Sequence, residues 1–263
     1  MPATRPEQND YRSPSAADDL SGRLAGIAHT GGHRTLAERA FASLHEAIVT
    51  GVLQPGERLP IEELATVLDM SPMPIREALR RLDAAGMVEN VPHRGARVTE
   101  LSIDDLREVY QARLALEPLA IRQAAMRFTD ADAKTASDAL QRHRTAVRHN
   151  DVVAAWRAHT DFHFALYDAA GSRWLIRLVT PLWETSERYR HASSPIAWRL
   201  DARQREHDRI LEACIAHDPE RAAAELHNHL VGTAEHVSSD MGGPQLFELR
   251  PVPPAGNGRD VGS

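Results

Sequence analysis

The chain has 263 residues, 42% of them hydrophobic and 26% charged, which is enough for a packed core in two domains and excludes global disorder. Its one cysteine, Cys214, excludes an internal disulfide, and the lack of an apolar run of about 18 residues, or of an apolar core after Met1, points to a soluble cytoplasmic protein with no membrane partner. A net charge of −6 excludes a polybasic nucleic-acid coat, but not a local DNA-reading face.

Residues 1–33 hold Pro2, Pro6 and Pro14 and show no period, which predicts a disordered tail. Ala37, Ala40, Phe41, Leu44 and Ile48 then fall at helical spacing, with Gly51 placed to end that helix. After the Gln54-Pro55-Gly56 turn, Leu64, Ala65 and Leu68 mark a second short helix from about Ile61. Ser71 is a good N-cap with Pro72 at the first helical position, and the third helix runs to Ala84 with Ile75, Leu79 and Leu82 buried. Met87–Val91 and Ala96–Leu101 read as strands around Pro92-His93-Arg94-Gly95, a hairpin. Helices, a tight turn and a hairpin over 34–101 make a winged helix-turn-helix.

From Ser102 to Ser239 nearly every segment has the 3.6-residue period. Aromatics are only 5%, which also favours helix over sheet. Ser102 with Asp105 reads as a capping-box variant, and Thr129-Asp130, Asn150-Asp151, Gly171-Ser172, Ser194-Pro195 and Asp218-Pro219 mark later breaks. The result is six helices of about 15–25 residues in an antiparallel bundle, the first kinked or split at Pro118. Residues 240–263, rich in Pro and Gly, read as a second disordered tail. The fold class is thus mainly α, a winged helix-turn-helix followed by an all-α bundle.

On the third helix Met73, Arg76, Glu77 and Arg80 share the face opposite the buried stripe. Arginine there can bind guanine bidentately in a major groove, and a helix N-terminus favours phosphate. Residues 71–98 carry five arginines against three acids, a local surplus of +2 in an acidic chain. For the helix alone a solvated face is the simpler reading; Arg94 and Gly95 at a wing tip lower its weight, because Gly lets backbone approach a groove wall.

Of 14 histidines, eight lie from His159 onward. His159 and His163 are i,i+4, a separation that can chelate one ion, and His207 and His229 fall near the middles of two later helices. On spacing alone the plainer reading is the stronger: polar groups satisfied inside a bundle, with His227 and His236 on its surface. Arg113 and Glu117 are also i,i+4, as a surface ion pair would be. Trp156, Trp174, Trp183 and Trp198 read as packing anchors, and Cys214 as a small buried hydrophobe.

Residues 52–98 resemble the winged helix of GntR-type bacterial transcription regulators: Pro55-Gly56 with Leu59, the run Pro74-Ile75-Arg76-Glu77-Ala78-Leu79 through Gly86, and the wing at 93–98. Many relatives have Ser-Arg-Thr-Pro where this chain has Ser71-Pro72-Met73-Pro74, so a DNA-contacting arginine is missing and Arg76 carries more of the reading. The resemblance implies a DNA face of Ser71, Met73, Arg76, Arg80, His93, Arg94 and Gly95. Residues 109–125, 159–175 and 205–230 resemble the FadR branch, whose C-terminal FCD-type domain binds small carboxylic acids and often a metal. That resemblance implies metal ligands at His163, His207 and His229, and at His159 where relatives have Asp or Asn. It implies Zn, with Ni or Mn as alternatives, and Arg113 as a carboxylate clamp with Tyr189 a second ligand contact. It further implies a homodimer that binds a pseudo-palindromic operator in double-stranded DNA as a repressor. The competing reading, a metal-dependent hydrolase, lacks a general base: His159-Thr160-Asp161-Phe162-His163 has no Glu after the first histidine. A bare helical binding module would leave the winged helix unexplained. No enzymatic activity is expected.

Overall fold

The computed structural model describes residues 22–24, 35–91, 95–193 and 201–254. The chain forms two compact units, Met1–Glu100 and Leu101–Ser263.

In the first unit α1 (Leu36–Val49) begins with a capping box: Glu38 N–H donates to Thr35 Oγ1 and Thr35 N–H to the Glu38 carboxylate. Gly51 follows at φ 72°, left-handed, where a side chain would be strained. Helices α2 (Ile61–Val67) and α3 (Pro72–Ala84) are joined by a tight turn with Asp69 at φ 50°. Ser71 sits at the N-cap of α3 but makes no capping hydrogen bond. Leu44, Ile48, Leu53, Leu64, Ile75 and Leu82 are buried together with Leu59 and Met87, and such apolar burial is the main stabilising term.

The antiparallel sheet has the order β1-β3-β2, with β1 Arg58–Leu59, β2 Val88–Val91 and β3 Gly95–Val98. Val88 pairs with Val98 and Asn90 with Ala96, while Leu59 pairs with Ala96 on the other side of β3. β1 was not expected: two residues are too few to show alternation. The tip residues His93 and Arg94 lie outside the described residues.

Part of the N-terminal segment departs from the expected disorder. Residues 22–24 form a helical turn; Arg23 donates to Val52 O at 2.7 Å and to the Glu57 carboxylate, and Leu24 is buried. A single apolar anchor and one paired guanidinium hold it, too little to leave a period. The rest of 1–34 lies outside the described residues.

The second unit holds six helices among the described residues: α4 (Ile103–Ala125), α5 (Asp130–Arg148), α6 (Val152–Asp168), α7 (Arg173–Ala192), α8 (Asp201–Ile215) and α9 (Pro219–Asp240). Ser102, Thr129, Asp151, Ser172 and Asp218 each accept the amide three residues on, a cap that contributes about 1 kcal/mol. Helix α4 packs along α9 and α7, and α5 along α6. Phe128, Leu140, Phe162, Leu166, Trp183, Ile210, Leu226 and Leu230 form the core. Cys214 is buried there, its thiol pushed up to about 12 by burial.

Two expectations are corrected. Pro118 does not split α4, which runs through it as one helix; the bundle around this buried proline outweighs the one lost hydrogen bond. Residues 244–250 are ordered along α9: Leu246 and Phe247 donate their amides to Glu235 at 2.8 and 2.6 Å, and Arg250 exchanges two 2.8 Å bonds with the Asn228 amide. Leu246 and Phe247 also cover Leu106, Tyr110 and Val237. An extended strap satisfied by another helix's side chains has no period of its own to read. Ser194 and Pro195, and residues 255–263, lie outside the described residues.

Candidate functional site

His159 and His163 occupy successive turns of α6, His207 lies on α8 and His229 on α9. All four are buried, and one ring nitrogen from each lies within 4.8 Å of the others. Burial first, then neighbouring charges (Arg190 at His159, His207 at His163), hold the two α6 imidazoles well below the usual histidine pKa. They are neutral at pH 7, as metal ligation requires.

Hydrogen bonds fix the tautomers. Tyr167 donates its hydroxyl proton to Glu117 Oε2 at 2.6 Å, so at His163 Nδ1, 3.3 Å away, it must accept. His163 therefore carries its proton on Nδ1 and presents the Nε2 lone pair. His229 Nδ1 lies 2.8 Å from the Glu206 carboxylate and donates to it, which frees its Nε2 as well. Carboxylate or phenol partners behind ligating histidines are the usual supporting arrangement. His163 Nε2 and His207 Nε2 are 3.3 Å apart. Two nitrogens at ~2.0–2.1 Å from a tetrahedral Zn are separated by about 3.3 Å, so the donor set fits a divalent ion of the imidazole-preferring kind.

His159 differs. Its Nδ1 lies 3.4 Å from Arg190 Nη1, and a guanidinium only donates. The His159 proton is therefore on Nε2, and the ring ligates through that atom only if Arg190 withdraws. Arg190 is itself buried and paired with Glu187, which also accepts from Trp156 Nε1.

Arg113 and Glu117 are no surface pair: they are 2% and 0% exposed, with Arg113 Nε 2.5 Å from Glu117 Oε1. Burial alone would lower the Arg113 pKa, but Glu117, Tyr110 and Tyr167 together raise it above its ordinary value. Arg113 Nη1 also donates to Ser186 Oγ at 2.7 Å, so three of its five N–H groups are engaged. Tyr189, expected beside it, is instead buried with Leu106, Tyr110 and Val237; its hydroxyl donates to Asp105 at 2.5 Å and accepts from Ser102 N–H at 3.3 Å. Asp105 thereby serves Tyr189 rather than a reciprocal capping box, and Tyr189 anchors the start of α4.

Sequence reasoning missed Tyr167, Glu187, Arg190 and His143 as parts of this site and took Trp183 only as packing. Tyr167 follows His163 by four residues and was legible as its neighbour. His143, with its ring 5.6 Å from His159 and 6.0 Å from His207, carries no spacing signal.

On α3 of the first unit, Ser71, Met73, Arg76 and Arg80 are all exposed, Met73 by 70%. Arg80 pairs with Glu77 at 2.7 Å, while Arg76 has no ion pair among the described residues. Gly95, at φ 81°, stands where a Cβ would meet open space.

Residues 36–98 match the family model of bacterial regulatory proteins, gntR family, and residues 108–232 match the FCD domain. The HTH-type transcriptional regulator BphR of Paraburkholderia xenovorans (strain LB400) is 33% identical over 203 residues, 75% of this chain and 83% of that protein. The HTH-type transcriptional repressor GlaR of Escherichia coli (strain K12) is 26% identical over 76% of this chain and 94% of its own length. Among solved structures, E. coli McbR/YncC superposes with a TM-score of 0.71 at 24% identity, over 80% of this chain and all of that one, which speaks for the fold. The chain belongs to the GntR family of bacterial DNA-binding transcription regulators, with an FCD domain behind its winged helix-turn-helix, and it is not an enzyme.

Proposed function

We propose that this regulator is a repressor controlled by a small carboxylic acid, bound in the FCD domain at a divalent ion held by His163, His207 and His229. The observation that carries the reading is the buried imidazole cluster, two of whose lone pairs are oriented by Tyr167–Glu117 and by Glu206. The ion, most simply Zn, supplies a Lewis-acidic anchor for a carboxylate. Arg113 keeps two N–H groups for that carboxylate, and Glu117 holds its fork in place. His159 stands at the edge as a conditional fourth ligand, governed by Arg190. An acid that binds one arrangement of the bundle better than another shifts the population of DNA-competent protein. Metal analysis of the purified protein, followed by calorimetric titration with small acids, tests this; protein that neither retains nor takes up zinc rejects the ion.

DNA is read by α3 and the wing. Arg76→Ala is expected to cost about 1–3 kcal/mol on the operator and to relax base discrimination at one position. Arg94→Ala should weaken binding evenly across sequences and flatten the salt dependence. Gel shifts on upstream DNA measure both; two variants that bind like the parent would reject this surface.

One winged helix covers too little of an operator for nanomolar binding, so two chains act together on a pseudo-palindrome, joined through the FCD domain. Sedimentation at micromolar concentration should give the dimer mass with and without DNA, and a monomer in both conditions overturns it.

A further inference from the structure

Two nitrogens beside the histidine cluster lack a partner among the described residues: Trp183 Nε1 and His143 Nδ1. Trp183 is 3% exposed; its ring stacks on His159 with centroids 5.6 Å apart and lies 4.9 Å from the His163 ring, while the Arg113 guanidinium sits 4.8 Å over its face. An indole N–H can only donate, and a buried donor without an acceptor is rare in a native fold unless something else fills the place. His143 is half-buried, its ring 5.6 Å from that of His159 and 6.0 Å from that of His207. His159, which touches both rings, also receives Arg190 and so keeps its own proton on Nε2. The Trp183 N–H, which can only donate, is thus left without an acceptor among the described residues.

The charges around the cluster are otherwise matched. Arg113 is cancelled by Glu117 and Arg190 by Glu187. Neutral imidazoles add no charge, so of a divalent ion's charge Glu206, 31% exposed at His229, offsets at most one unit and the first carboxylate another.

We propose that Trp183 Nε1–H, His143 and the edge of Arg190 form a second oxygen subsite beside His159, which takes the distal carboxylate of a dicarboxylate effector. The inference rests on the reading of the cluster as an acid-binding metal centre, where the first carboxylate lies. A monocarboxylate leaves the Trp183 donor empty. A short dicarboxylate supplies an acceptor there and a second negative charge near Arg190.

The test uses full-length zinc-loaded protein, its metal content measured first, titrated calorimetrically with propionate, lactate, malonate, succinate and glutarate. The best dicarboxylate should bind at least ~10-fold more tightly than propionate or lactate, the scale of a hydrogen bond to a charged group. In Trp183→Phe, and separately in His143→Leu, that ratio should fall below about threefold with zinc content unchanged. The ratio within one variant does not depend on how much of the sample is folded. Equal affinities for mono- and dicarboxylates in the parent, or an undiminished ratio in either variant, would overturn the second subsite and leave the metal centre standing. No binding of any of the five acids at full zinc occupancy would overturn the second subsite and the acid-binding reading it rests on.

Discussion

Replacing His207 with Ala is expected to lower zinc affinity by more than a hundredfold. Supporting residues behind metal ligands cost about 10–100-fold when removed, and His207 is itself a donor, its Nε2 3.3 Å from that of His163. No water-rich route compensates, because His163 and His207 are 0% and 2% exposed. The graded comparison is Tyr167→Phe, which removes the acceptor that fixes the His163 tautomer and should cost about tenfold. Competition with a chromophoric chelator measures both. If His207→Ala held zinc as the parent does, the cluster would be polar packing and the metal reading would be lost. His159→Ala, in contrast, should leave zinc affinity within a few-fold, since Arg190 occupies the Nδ1 side of that ring.

Glu117→Ala should destabilise the FCD domain by about 3–5 kcal/mol, the usual cost of stranding one member of a buried ion pair. Glu117 is fully buried and accepts from Arg113 Nε, Arg113 Nη2 and the Tyr167 hydroxyl at 2.5, 3.2 and 2.6 Å. Its loss leaves a cation inside the bundle with only Ser186 and two aromatic faces around it. All four tryptophans, residues 156, 174, 183 and 198, belong to the second unit, so intrinsic fluorescence during urea unfolding reports that unit by itself. The double variant Arg113→Met/Glu117→Leu should recover most of the loss, because it removes both charges. A Glu117→Ala cost below about 1 kcal/mol would mean that water reaches the pair and that Arg113 is not held for a ligand. A lone Arg113→Ala strands Glu117 as a buried carboxylate and is expected to perturb folding as well as acid binding.

The helices were legible because their signals are local. Thr129, Asp151, Ser172 and Asp218 each precede an apolar period, and each is an N-cap. The α3 stripe of Ile75, Leu79 and Leu82 and the turn before Ser71 were equally readable. Half of the site was legible in the same way, since His159–His163 and Arg113–Glu117 are one-turn pairs. The other half depends on packing between helices distant in sequence: α7 brings Trp183, Glu187 and Arg190 to α6, and α5 brings His143. Tyr189 misled for the same reason, because only the packing of α7 against α4 shows that its hydroxyl is engaged by Ser102 and Asp105. The strap at 244–250 escaped because its order comes from Glu235 and Asn228 on another element.

Helix α4 begins three residues beyond Glu100, the last residue of the first unit, and carries Arg113 without interruption. At 1.5 Å per residue, the ten steps from Ile103 to Arg113 span about 15 Å of rigid rod. Pro118 lies on the far side of Arg113, so every hydrogen bond of that rod is retained. Arg113, the proposed acid clamp, and the start of α4 therefore share one helical phase. One residue inserted into the rod would turn the junction by about 100° relative to Arg113, whereas seven would restore the azimuth to within about 20° and add roughly 10 Å. Coupling that returned with the seven-residue insertion but not with the single one would be torsional; coupling lost in both would depend on length.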